Sequence, residues 1–66
     1  MRLPDNIEKS AFRPKSYVGF GRGEVWSITA QRDKHGKPYR WDAFGKTTSL
    51  NYESAETLNK LSKRIQ

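Results

Sequence analysis

Five basic residues, Arg22, Arg32, Lys34, Lys37 and Arg40, are grouped with Ser27, Thr29, Gln31 and Asn51, which can donate and accept hydrogen bonds. In such a pattern Arg and Lys meet phosphate or guanine, Gln meets adenine, and hydroxyls meet either. The chemistry on offer is recognition. Bond-making chemistry has less to work with, because general acid–base catalysis needs a carboxylate or histidine held beside a second group. Here the carboxylates are scattered. Strand pairing puts Asp42 opposite Ser49 and near Ser27, and a cross-strand hydrogen bond accounts for that cluster. His35 is the only histidine and there is no cysteine, so neither a thiolate zinc site nor a disulfide can be assembled. We expect a protein that is not an enzyme, with no cofactor and no metal.

The glycine-rich run Gly19-Phe-Gly21-Arg-Gly23 invites comparison with phosphate-cradling loops, which lie between a strand and a helix N-terminus. A β-rich run follows it instead. It reads as a flexible turn or a bulged edge.

The elements that position these side chains follow from periodicity. Glu24 to Arg32 and Lys37 to Phe44 both alternate and are rich in β-formers, so both read as strands. Asp33 to Gly36 joins them as a four-residue hairpin turn, Gly36 taking positive φ. With Arg32 facing Lys37, Ala30 opposes Tyr39, Ile28 opposes Trp41 and Trp26 opposes Ala43, which gathers the apolar members on one face. Val25, Ser27, Thr29, Gln31, Pro38, Arg40, Asp42 and Phe44 share the other face.

Gly45-Lys46 suits a type II′ turn, which would set Trp41 opposite Leu50 and Tyr39 opposite Tyr52. Alternatively the strand runs through Gly45 as a bulge and pairs its far end with Tyr17 to Phe20. Tyr17 to Phe20 itself reads as a further short edge strand. From Ser54 the spacing becomes helical: Ala55, Leu58, Leu61 and Ile65 form one stripe along a helix about 18 Å long. Ser54 or Asn51 would cap it. That stripe is expected on Trp26, Ile28, Tyr39, Trp41 and Leu50. Met1 to Ser16 reads as an extended arm with Phe12 as its docking residue. The expected fold is α+β: an antiparallel three- to four-stranded sheet over residues 17–66 with one C-terminal helix on one face.

The chain has 66 residues, 33% of them hydrophobic, and a net charge of +6. One core is all that this length supports, and the charge would attract phosphate polymers or acidic partners. No run approaches the roughly 20 apolar residues of a membrane span, and Met1 to Ser10 lacks a signal-peptide core. We expect a cytoplasmic protein without a membrane partner.

The order Tyr17-Val-Gly-Phe20, Val25-Trp26 with Ile28, the turn Asp33 to Gly36, Tyr39-Arg-Trp41 and a closing helix resembles two related DNA-binding families. One is the arm-binding domain of phage and transposon tyrosine integrases, the other the similar domain of plant ethylene-response factors. The likeness runs from about Tyr17 to Ile65. It implies an open sheet face that reads the major groove, here on a free-standing, phage-like accessory protein. The chain departs from both families in having only Arg40 mid-sheet, with Asp42 beside it, and an extra strand over Thr47 to Asn51.

The expected function is therefore duplex DNA binding. Arg40, Gln31, Thr29 and Ser27 would face bases, and Arg22, Arg32, Lys34 and Lys37 would face phosphates. The alternative is a protein-interaction module or homodimer using Val25, Phe44 and an unpaired sheet edge.

Overall fold

The computed structural model describes residues 3–11, 13, 15–46 and 51–66. Phe12 and the predicted strand residues Thr47 to Leu50 lie outside them, as does the expected pairing of Asp42 with Ser49. Five strands, β1 (Ile7–Lys9), β2 (Ser16–Gly21), β3 (Glu24–Arg32), β4 (Pro38–Gly45) and β5 (Tyr52–Ala55), precede one helix, α1 (Leu58–Ile65). The strands pair antiparallel in chain order. The α+β plan is as expected, but the sheet has five strands rather than three or four.

The additional strand comes from the segment read as an arm. Ile7 is buried, and Asn6 ties β1 to the rest: its Nδ2 donates to the carbonyls of Phe20 (3.1 Å) and Ser62 (3.2 Å), while its Oδ1 accepts from the Ser62 hydroxyl.

Trp26, Ile28, Trp41 and Ala43 are buried beneath Leu58, Leu61 and Ile65, the expected core face under the expected stripe. The register that achieves this is different. Ala30 opposes Trp41 and Ile28 opposes Ala43, a slip of two residues. Asp33 causes half of it: its Oδ1 accepts from the amides of His35 (2.9 Å) and Lys37 (3.0 Å), drawing Lys37 into the turn. A bulge supplies the other half, since Gln31 pairs with Arg40 and Arg32 with Pro38, leaving Tyr39 as the extra residue. Two single-residue shifts restore parity, so Trp26, Ile28, Trp41 and Ala43 stay inward.

Between β4 and β5 the shift is odd, and there the expected faces change. Gly45 is not a turn residue: β4 runs through it, pairs it with Trp26 of β3 rather than with β2, and its amide donates to the Asn51 carbonyl at 2.9 Å. A Cβ on Gly45 would sit 2.1 Å from Glu24 Oε1, so a side chain there would have to displace the Glu24 carboxylate. Phe44 consequently opposes Tyr52, which lies on the open face, and Trp41 opposes Ala55. Ala55 reaches the core from β5, not from the helix. The helix is shorter than its spacing implied, about 12 Å, and its cap is Thr57, whose hydroxyl accepts from the Lys60 amide at 3.2 Å.

Candidate nucleic-acid interface

β3 and β4 outlast their neighbours. Pairing with β2 stops at Thr29 and pairing with β5 stops at Trp41, so residues 31–40 continue as a two-stranded ribbon. All of residues 32–40 are exposed. At about 3.3 Å per residue β3 runs roughly 7 Å from Ala30 to Arg32, and the turn projects beyond it.

Its tip is held by its own bonds. Besides the two amides on Asp33 Oδ1, the Asp33 amide donates to the Lys37 carbonyl (3.0 Å), and the Gly36 amide donates to the Asp33 carbonyl (3.0 Å). Arg32 Nη1 donates to the Gly36 carbonyl at 2.8 Å, and Gly36 takes φ of 79°. Asp33 thus engages its Oδ1 inside the turn. Arg32, Lys34 and Lys37 have no carboxylate partner among the described residues.

At the ribbon root, Arg40 and Gln31 oppose each other on the open face, and both reach Asp42. Arg40 Nε lies 3.2 Å from Asp42 Oδ1, and Gln31 Nε2 donates to Oδ2 at 2.8 Å. Tyr52 donates its hydroxyl to Oδ1 at 2.7 Å. Under these three side chains Asp42 is only 3% exposed. Burial alone would raise its pKa, but the hydrogen bonds from Tyr52 and Gln31 and the charge of Arg40 outweigh that and hold it below the ordinary value. The carboxylate stays ionised and fixes Arg40 by one nitrogen. Both Nη groups of Arg40 remain to contact a ligand.

Thr29, opposite Ser16 and Asp42, and Ser27, opposite Val18 and Phe44, lie on the same face but below the ribbon. Arg22 is elsewhere. It occupies the β2–β3 turn with φ of 53°, pairs with Glu53 at 3.1 Å, donates to the Arg64 carbonyl and lies 5.8 Å over the Trp26 ring. The fold thus brings seven of the eight predicted residues onto the ribbon or its adjoining face and leaves Arg22 against the helix. Val25 and Phe44 are on the open face as expected. Phe44 meets Tyr52 with ring centroids 5.0 Å apart, and Phe20 is half-exposed on that face.

Sequence reasoning missed three residues beside the ribbon. Tyr39, assigned to the core, is 56% exposed, and with Lys60 and Arg64 it lines a cleft at the ribbon root. A bulge leaves no mark in an alternating pattern, so nothing in the sequence distinguished Tyr39 from Trp41. Among the described residues no cluster of His, Cys, Asp and Glu could hold a metal, and no helix is long and apolar enough to cross a membrane. Comparison with protein-family models, curated proteins and solved structures found no match.

Proposed function

We propose that this chain binds duplex DNA by laying the 31–40 ribbon in the major groove. The observation that carries this reading is the ribbon itself: a projecting, internally braced hairpin whose cations Arg32, Lys34 and Lys37 form no ion pair with the described residues. A B-form major groove about 12 Å wide and 8.5 Å deep admits a two-stranded ribbon. Arg32, Lys34 and Lys37 then meet phosphates, and Arg40 with Gln31 approaches base edges from the root. Ser27 and Thr29 contribute where the duplex rests on the sheet. A cytoplasmic, accessory role accords with this function.

Fluorescence anisotropy on mixed-sequence duplexes tests it. Affinity should fall steeply with salt, and the double substitution Lys34→Gln with Lys37→Gln should reduce the logarithmic salt slope by about 2, close to 0.9 per lost phosphate contact. Arg40→Ala should weaken binding and relax sequence preference. Absence of binding at low salt, or an unchanged slope in the double variant, rejects the ribbon.

A second reading sets nucleic acid aside. Phe20, Val25, Phe44 and Tyr52 put apolar surface on the open face, and contiguous apolar surface marks protein-interaction sites. The first partner to test is a second copy of the chain.

A further inference from the structure

Tyr39 shares the parity of Trp41 and Ala43, yet its ring stays outside because α1 ends its cover before the ribbon begins. With Arg40, Ser54, Glu56, Lys60 and Arg64 it lines a 270 Å³ cleft between the ribbon root and the helix. That is below the roughly 300–1,000 Å³ of pockets for drug-sized ligands, so it admits one ring and its substituent. Two cations, Lys60 and Arg64, face one carboxylate, Glu56, because the Arg40 guanidinium is turned to Asp42 on the open face. Glu56 is already engaged by Lys60 at 3.6 Å, and Arg64 spends one Nη on the Ser54 carbonyl, which leaves its other donors for a ligand. An exposed aromatic ring beside cations is the composition that holds nucleotides of single strands, the base stacking and the phosphate neutralised.

We infer that this cleft holds one unpaired nucleotide, its base stacked on Tyr39 and its phosphate met by Lys60 and Arg64. The inference rests on the nucleic-acid reading and narrows it: the preferred substrate is a duplex carrying an unpaired nucleotide next to the groove the ribbon enters.

Two measurements separate the cleft from the ribbon. Anisotropy compares a blunt duplex with the same duplex bearing a single-nucleotide bulge, and NMR follows the Tyr39 ring during titration with thymidine 5′-monophosphate. The bulged duplex should bind about 5- to 150-fold tighter, the range expected of one stacked base. Tyr39→Ala should weaken the bulged duplex more than the blunt one and so abolish that preference, and Tyr39→Phe should retain it. Equal binding of the two duplexes, or an equal loss on both in Tyr39→Ala, overturns the cleft and leaves the ribbon standing. If no duplex binds but the nucleotide shifts the Tyr39 resonances and Lys60→Gln removes the shift, the cleft stands and the ribbon falls. No response in either measurement rejects both.

Discussion

Asp42 shows how one side chain changes meaning with its surroundings. On an alternating strand it stands mid-face, where a carboxylate repels phosphate. In the fold it is enclosed by Tyr52, Gln31 and Arg40, and it neutralises only the arginine it orients. Its lowered pKa ties it to stability. Because the folded value lies below the unfolded one, near 3.9, its contribution is fully present above that pH and is lost as pH falls through the folded value. Urea unfolding between pH 7 and pH 2 should show that loss in the acid limb. Asp42→Asn should cost roughly 1–3 kcal/mol at pH 7, the scale of a disrupted buried hydrogen-bond set, and should flatten the acid limb. An acid limb unchanged by the substitution would mean that this carboxylate titrates alike in both states.

The glycine-rich run is explained at the level of elements. Gly21 faces the C-terminal end of α1, where a Cβ would lie 1.8 Å from the Ile65 carbonyl oxygen, and at Gly19 a Cβ would lie 2.6 Å from Ile65 Cδ1. These residues are absent of side chains so that the helix can settle on β2 and bury Ile65 completely. Neither cradles a phosphate. The obstacle at Gly21 is main chain, so it cannot swing aside as a side chain would. Gly21→Ala should therefore destabilise the fold by about 1–3 kcal/mol, as overpacking does, which a shift in the urea midpoint would report. A midpoint equal to that of the wild type would show that the helix end does not pack as described.

At the scale of the whole molecule, charge and apolar surface are separated along the open face. The ribbon end carries Arg32, Lys34, Lys37 and Arg40, while Phe20, Val25 and Phe44 lie towards the opposite end of β2, β3 and β4. The two surfaces can thus be tested independently. If the aromatic patch joins two copies, light scattering should return a dimer for the wild type and a monomer for Phe44→Ser, with the ribbon's salt slope intact. A monomeric wild type at high concentration removes self-association. Its net charge of +6 opposes it from the outset.

The sequence by itself determined the α+β plan, the β3–β4 hairpin with Asp33 and Gly36 in its turn, and the inward set Trp26, Ile28, Trp41, Ala43, Leu58, Leu61 and Ile65. Each follows from a period of two or of three to four, which depends on neighbours along the chain. It also named all four Lys and Arg residues of the ribbon. Only the tertiary structure decided the register, which Asp33 and the Tyr39 bulge displace together, and the odd shift that turned Tyr52 outward. It alone moved Ala55 from helix to strand, drew the N-terminal segment into the sheet through Asn6 and took Arg22 to the helix. Those outcomes depend on pairing between distant segments, where a single added residue is invisible to periodicity yet reverses a face. The tertiary structure also decided that a ribbon projects beyond the open face, because what projects depends on where the neighbouring strands stop.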